Sequence, residues 1–534
     1  MASAVGDVTP YLVVLVAVAT LGPLQFGYHL VRSKAASLPL GAQPRFLSLT
    51  ALCSQAELNA PQDVITCQKK SSSIKETLLS SFGSKAASPD CIPMTPASFA
   101  AISAVFTVGG LIGALAAGPL TSRRGRRLPM QATAVLYLVG SAIETFAASV
   151  PIMVIARFLT GIGAGASTVI VPLYISEVAP PTRRGFFGAF TQISINIGIL
   201  LTQTLGFFMS HDSAWRWIFG TGVAIALAQA LGLLIVPESP SWTANVAGDV
   251  AQARRALQRI RGKHHNVDDE VEAWGAGAGK PPGERSGLLA GDDTDAEEAG
   301  AGTLLSSATS PVSKTAHLGF VDVIRDPLCR PAIAAVVGIM FAQQLCGINS
   351  IIMYSVSLLK DLLPISSAVL TIVISVSNLG ITMAASPLPD RLGRKTCLLA
   401  SIIGQGSSSL ALALSILLGF KILSAIAVLL FVAFFAVGLG PVPFIMASEL
   451  VGPEAVGATQ SWALGASYVA TFLVAYLFPI VNQALNSALG GAGWVYFIFA
   501  GFALLFAGFI TRHVPETRGK RDSDEVWGRT RRAD

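Results

Sequence analysis

Charge is what this chain has least of. Lys, Arg, Asp and Glu make up 13% of 534 residues, where a soluble globular protein has about a quarter. Of the 68 charged side chains, 35 lie in residues 237–329 and 512–534, leaving 33 for the other 418 residues. That density cannot cover a water-facing surface of this size, so a soluble enzyme or binding domain is excluded. Cysteine is also sparse: six, without metal-ligand spacing, which argues against a metal centre. Only Cys53, Cys67 and Cys91 fall where an oxidising compartment could reach them, and Cys67 with Cys91 fits a bridge or free thiols equally well. No basic region precedes the apolar run at 11–30, so that run reads as the start of a first span rather than a cleaved leader. No nucleophile–base pair and no Asn-x-Ser/Thr sequence is present. The small-residue run GIGAGAS (161–167) follows no strand, so it reads as helix packing and not as a phosphate loop. No enzymatic activity, cofactor or metal is expected. The net charge of +6 sits in short clusters between apolar runs, which points to membrane loops and not to nucleic acid.

What is present is hydrophobic: 52% of residues, with a mean hydropathy of +0.61. A helix needs about 20 apolar residues to cross about 30 Å of hydrocarbon. Twelve such spans are expected, at 11–30 continuing into 56–65, 98–120, 128–149, 152–174, 186–209, 216–236, 331–358, 366–388, 397–419, 422–447, 456–480 and 493–511. The fold class is therefore an all-α membrane protein. Residues 1–236 form an N-terminal six-span half, 237–329 a polar connecting loop, 330–511 a C-terminal six-span half and 512–534 a tail. Within the loop, 249–262 reads as a basic amphipathic helix and 275–315 as a disordered segment. Basic clusters follow spans 2, 4, 6, 8 and 12, which places both termini in the cytoplasm by the positive-inside rule. The plasma membrane or a vacuolar or endosomal membrane is expected. The second is suggested by an acidic dileucine pattern from Glu284 to Leu288 and Leu289.

The halves repeat each other. Gly125-Arg126-Arg127 after span 2 matches Gly393-Arg394-Lys395 after span 8, at an offset of 268. Glu177 matches Glu449 at 272, and Pro237-Glu238 matches Pro515-Glu516 at 278. Duplicated six-span halves describe a secondary transporter, with a substrate site near the membrane midplane.

The motifs RFLTG (157–161), VPLYISEVAPPTRRG (171–185), PESPSW (237–242), QQLCGIN (343–349), DRLGRK (390–395), GPVPFIMASE (440–449) and VPETRG (514–519) stand in order across both halves. With them the chain resembles the sugar-porter family of the major facilitator superfamily, especially facilitative glucose transporters and their fungal relatives. The family's span 1 motif is present in two pieces, GPLQFGYHL (22–30) and AELNAPQ (56–62), separated by residues 31–55. Removing that stretch joins the pieces at the family's spacing. An inserted polar loop at mid-bilayer would expose unpaired backbone to lipid, so 31–55 reads as a retained intron or gene-model error, with a genuine insertion as the alternative.

The resemblance implies a monosaccharide substrate, a hexose such as glucose, moved by alternating access, with facilitated diffusion favoured. It places the sugar contacts at Gln192, Gln343, Gln344, Asn349, Asn378 and Phe444. Amides suit a neutral polyol because each donates and accepts. Gln343 and Asn349, six residues apart, share one cavity only if span 7 is locally unwound or offset, in a stretch where Gly347 loosens the helix. Phe444 stands where the glucose transporters carry Trp, and Ser467-Tyr468 where they carry Asn-Trp. A charge network of Arg126, Arg127, Arg157, Glu177, Arg184, Asp390, Arg394, Lys395 and Glu449 is expected to pair across the halves and hold one side shut. In two places the chain departs from the family pattern, with Ser122 for an acid and Ala455 for a base. Gly440, Pro441 and Pro443 form a breaker cluster expected to kink span 10. Proton-coupled relatives carry a span 1 carboxylate where this chain has His29. A proton-coupled sugar or polyol symporter using His29 or Glu57, with Glu144 a further intramembrane acid, is thus the alternative. A non-transporting sugar sensor is another. The partners expected are the sugar and the lipid bilayer, with the protein a monomer.

Sequencing of the transcript across the codons for residues 31–55 is expected to find a dominant message that lacks them. A dominant message containing them would overturn the intron reading.

Overall fold

The computed structural model describes residues 8–30, 92, 96–209, 214–262, 265–268, 270–271, 319–348, 350, 367–452, 454–491, 493–520 and 523–529. Three sequence readings lie outside these residues: the 31–55 segment, the continuation of span 1 at 56–65 and the 275–315 segment. So do Glu57, Asn349, Glu284, Leu288, Leu289, Cys53, Cys67 and Cys91.

Among the described residues every regular element is helical. The N-terminal half comprises span 1 (Pro10–Ala19 and Leu21–Leu30), span 2 (Pro96–Arg124), span 3 (Arg127–Phe146), span 4 (Val150–Val178), span 5 (Arg184–Met209) and span 6 (Trp215–Gly232). The C-terminal half comprises span 7 (Arg330–Leu345), span 8 (Ser367–Ala385), span 9 (Arg394–Leu417), span 10 (Lys421–Val437 and Val442–Glu449), span 11 (Val456–Leu489) and span 12 (Val495–His513). The duplication read from the motifs is a duplication of packing. Span 4 packs on spans 2 and 3, span 1 on 5, and span 3 on 6; likewise span 10 packs on 8 and 9, span 7 on 11, and span 9 on 12. The halves meet along two seams, span 2 with span 11 and span 5 with span 8, which are each other's counterparts under the same duplication.

Small residues let the backbones approach. Any side chain at Gly161 or Gly165 would run into the span 2 backbone at Phe106 or Gly110, and one at Gly113 into Ile162. GIGAGAS is thus a packing stripe. The described segments nearest the two termini lie at one end of the bundle, together with the basic motifs. Thr9 Oγ1 donates to the carbonyl of Ile260 at 2.6 Å, and Trp527 Nε1 to that of Leu450 at 2.9 Å. This is called the motif end below. The loop helix expected at 249–262 is Val250–Arg261, capped by Asp249, whose carboxylate accepts from the amide of Gln252. It buries Ala253, Leu257 and Ile260 along one face, and Arg261 ties it to the carbonyl of Val178 at 2.7 Å.

In span 7 the helix Arg330–Leu345 gives way to a turn in which Gly347 adopts a left-handed φ of 99°, Ile348 and Ser350 are helical again, and the expected end at 358 lies outside the described residues. Two spans differ from those expected. Span 11 continues to Leu489, since Val481 and Leu485, four apart, still pack on the core. Span 10 is broken into two helices and not merely kinked. Pro443 has no N–H for the carbonyl of Leu439, four residues back. That carbonyl instead accepts from Gln343 Nε2 of span 7 at 2.7 Å. The Leu439 amide donates to Ser401 Oγ of span 9 at 3.0 Å. Gly440 reaches the Phe435 carbonyl at 2.9 Å.

Gln343→Leu is expected to leave the buried Leu439 carbonyl unsatisfied, at a cost of about 1–3 kcal/mol. Pro443→Ala restores an N–H for that carbonyl and should remove part of the penalty. Thermal unfolding in detergent of the two single variants and the double variant measures this. Equal destabilisation by Gln343→Leu on both backgrounds would refute the account.

Candidate functional site

Charged clusters occupy the motif end, one in each half, and they match atom for atom. Gly125 turns the chain after span 2 with φ 82°, and Gly393 does so after span 8 with φ 102°. The left-handed turn requires Gly, and the missing Cβ leaves room for a carboxylate. Glu238 fills it in the first half, accepting from the amides of Arg126 at 2.7 Å and Arg127 at 3.1 Å. Glu516 does the same in the second, with Arg394 at 2.8 Å and Lys395 at 3.1 Å. Each carboxylate thereby caps the start of a span, where free N–H groups favour negative charge. Arg126 then forks onto Glu177 (Nε 2.9 Å, Nη2 2.6 Å), and Arg394 onto Glu449 (Nε 3.1 Å, Nη2 2.9 Å). Arg127 and Lys395 close the pattern on the carbonyls of Leu234 and Thr511. Glu238 and Glu516 were not among the site residues expected from sequence. The signal was there, since both belong to the repeated motifs at an offset of 278.

Among the described residues the close ion pairs at the motif end lie within halves, where pairing across them was expected: Arg126–Glu177 in the first half, Arg394–Glu449 and Arg394–Asp390, at 3.0 Å, in the second. Charge does act across the seam, since the buried Arg184 guanidinium of the first half feels the Glu449 carboxylate of the second. A closer link between halves is of another kind. Asp390 accepts from the backbone amides of Gly185 at 3.1 Å and Phe186 at 2.8 Å, at the start of span 5. Arg184 lines a small cavity at this seam with Gly188, Phe444, Ile445 and Glu449. On the pseudo-symmetric seam, Ser122 stands where Asp390 would, and it packs against Gly457. Ser461 Oγ accepts from the Gly118 amide at 2.9 Å and donates to the Ala114 carbonyl at 2.7 Å.

Arg157 does not belong to this network. It lies 20 residues before Glu177 on the same helix, about 30 Å away at 1.5 Å per residue. Fully buried at the opposite end, it pairs with Glu144 of span 3 at 3.3 Å, which also accepts from Thr160 at 3.0 Å. His29 Nδ1 lies 4.0 Å from the other Glu144 oxygen. The His29 ring is stacked on Tyr137, and the Arg157 guanidinium lies over Phe219.

Amides gather at mid-depth between the two seams. Gln344 Nε2 donates to Gln343 Oε1 at 3.2 Å and to Ser467 Oγ of span 11 at 3.1 Å. Gly440 faces Gln192 of span 5, next to the Leu439 carbonyl that holds Gln343. Gln192 Nε2 donates to Asn196 Oδ1 at 3.0 Å, and Asn378 Nδ2 of span 8 approaches the same oxygen at 3.4 Å. Gln192, Gln343 and Gln344 are each less than 10% exposed. Phe444 lines the small cavity at the motif end together with Gly188, one turn before Gln192 on span 5. Ser467, which with Tyr468 stands where the glucose transporters carry Asn-Trp, joins the cluster. Asn196 and Thr382 join it too and were not among the residues expected. Single polar residues inside apolar runs gave no pattern by which to find them.

The family described as Sugar (and other) transporter matches residues 15–280 and 306–523. The probable metabolite transport protein YBR241C of Saccharomyces cerevisiae is 33% identical, with 97% of this chain and 96% of that protein covered. The human solute carrier family 2, facilitated glucose transporter member 3, is 27% identical over 97% of this chain and 92% of its own. Among solved structures, the major facilitator proton:xylose symporter XylE bound to 6-bromo-6-deoxy-D-glucose superposes with a TM-score of 0.70. Its identity is 24%, and 97% of this chain and 98% of that chain are covered.

Breaking a buried ion pair from one side costs about 3–5 kcal/mol, against about 0–1 kcal/mol for an exposed one. Glu449→Gln, beside an Arg394 side chain 6% exposed, is therefore expected to lower the melting temperature several times more than Asp268→Asn. The partner of Asp268, Arg254, is 56% exposed. Equal shifts in differential scanning fluorimetry would contradict the assignment.

Proposed function

We propose, for a chain that belongs to the Sugar (and other) transporter family, that it carries a monosaccharide of the hexose type across its membrane by alternating access, as facilitated diffusion. Transport of sugar across a membrane follows from the family. The substrate size, the mechanism and the site residues are our reading. One observation carries it: the amide cluster of Gln192, Gln343, Gln344, Asn378 and Ser467 lies between the halves, directly beside the break in span 10. A neutral polyol is bound by groups that both donate and accept, and exchange of amide–amide bonds for amide–hydroxyl bonds costs little. Both seams are joined at the motif end, so the described arrangement is shut there. Opening that end requires Asp390 to leave the span 5 amides and Ser461 to leave Gly118. Alternation is then a shift of population between this arrangement and one joined at the other end. Basic clusters at the motif end place both termini in the cytoplasm under the positive-inside rule.

A second reading, proton symport, has its own observation. Glu144 is a fully buried carboxylate shared by Arg157 and approached by His29, and intramembrane acids of this kind mark proton paths. The simpler role, neutralising Arg157 in hydrocarbon, fits facilitated diffusion.

In proteoliposomes, labelled glucose is expected to equilibrate without accumulating, with or without an inward proton gradient. Gln192→Ala and Gln344→Ala should each raise KM about tenfold, as loss of a hydrogen bond to an uncharged ligand does. Accumulation driven by the gradient, lost in Glu144→Gln while exchange persists, would establish symport instead. No uptake of any monosaccharide would refute the proposed function.

A further inference from the structure

Asn196 lies one helical turn beyond Gln192 on span 5, is 2% exposed, and faces the other half of the protein. Its two amide atoms do different work. Oδ1 accepts from Gln192 Nε2 at 3.0 Å, within its own span, and is approached by Asn378 Nδ2 at 3.4 Å from span 8. Nδ2 donates to Thr382 Oγ1 of span 8 at 3.0 Å. Thr382, itself 1% exposed, donates a hydrogen bond from its hydroxyl to the backbone carbonyl of Asn378 at 2.7 Å. One side chain therefore joins both halves and two of the amides read above as sugar contacts. The Asn378 Oδ1 atom is buried and has no hydrogen-bond partner among the described residues, so the network presents an acceptor suited to a sugar hydroxyl.

The same seam carries Asp390 on the span 5 amides twelve positions beyond Asn378 and eight beyond Thr382, about 18 and 12 Å along a helix axis. The bond at Asn196 is thus a second, mid-depth tie between spans 5 and 8, made of neutral groups in a place where water does not compete for them. It differs from the motif-end tie in that its members also orient the amides of the candidate site.

We propose that Asn196 is a positioning residue that couples the sugar-binding amides to closure of the span 5–span 8 seam, through its bond to Thr382. This rests on the reading of Gln192 and Asn378 as sugar contacts. While the seam is joined, Asn196 holds Gln192 and Asn378 in one orientation. When the seam parts, Asn196 and Thr382 lose each other and the two amides are released from that orientation. Affinity for the sugar is therefore tied to the conformational state.

The test uses the full chain with Ile445→Cys as a reporter, since Ile445 is 4% exposed and packs across the halves on Gly188. Asn196→Leu and Thr382→Val each remove the tie at nearly constant volume, and Thr382→Ser keeps the hydroxyl. Labelling of the reporter by a hydrophilic maleimide should rise about twofold to tenfold in Asn196→Leu and in Thr382→Val, the range that one net hydrogen bond represents. It should stay at the parent rate in Thr382→Ser. The double variant should rise no further than Asn196→Leu alone, because that variant already removes the bond that Thr382→Val removes. Glucose KM should rise with Vmax per folded transporter within about twofold. A merely structural role would lower the yield of folded protein and leave labelling and KM per folded molecule unchanged, and that result would overturn the proposal. Additive labelling effects in the double variant would overturn it as well. The labelling measurement needs no sugar. If labelling responds as expected but the parent protein takes up no sugar, the coupling to substrate falls together with the proposed function, and only the seam bond stands.

Discussion

Inside a bilayer the backbone has no water to bond to, and each unpaired peptide group there costs several kcal/mol. Several polar side chains buried among the described residues answer that constraint. At the break in span 10 and where some spans approach closely, a side chain from a neighbour bonds the backbone. Pro443 deprives the Leu439 carbonyl of its helix bond, and Gln343 replaces it, while Ser401 takes the Leu439 amide. Thr202 of span 5 donates to the Tyr28 carbonyl of span 1, and Ser461 of span 11 bridges the Gly118 amide and the Ala114 carbonyl of span 2. The breaks that make a transporter movable are tolerated because each is satisfied from outside its own helix. The price is that those helices become coupled. Gln343 cannot turn fully toward a substrate without releasing the break in span 10.

The same economy governs the charges. Each half carries a carboxylate seated under a left-handed glycine, an arginine forked onto a second carboxylate, and a basic residue on a carbonyl. These sets stiffen the halves as bodies. Their close ion pairs lie within each half, and Arg184, another of the described network residues, feels a carboxylate, Glu449, across the seam. What joins the halves is softer: a carboxylate on two peptide amides at one seam, and a hydroxyl and small residues at the other. The two departures from the family pattern explain the asymmetry. Ser122 puts a short neutral side chain where Asp390 stands in the second half. Ala455 removes the charge that would have faced it. Strong contacts inside each half and weaker ones between them are what a two-body alternation needs, since only the second kind must break in each cycle.

At the far end of the first half, Arg157 is fully buried, and Glu144 balances it with His29 close by. An unpaired guanidinium there would be prohibitive. The pair shows how a chain that carries His29 in span 1, in place of an acid, can supply the compensating charge from span 3.

Much of this was written in the sequence. Scarcity of charge, the apolar runs and the repeated motifs determined a twelve-span, two-half membrane protein. They also picked out Arg126, Glu177, Arg394 and Glu449, because periodicity and local spacing record what each helix buries and where it ends. Pro441 and Pro443 announced the break in span 10 for the same reason, since the lack of an N–H is a local property. What the sequence could not show is which side chains far apart in the chain meet. Arg157 looked like a member of the charge network until the length of its helix put it about 30 Å away. Asn196 and Thr382 are ordinary polar residues until spans 5 and 8 are packed. Only the tertiary structure decided that the close ion pairs among the described residues lie within the halves, and that hydrogen bonds to a carboxylate, to hydroxyls and between amides, from residues 182 to 347 positions apart, join them. Contacts at such separations depend on how rigid helices cross, which no stretch of local sequence encodes.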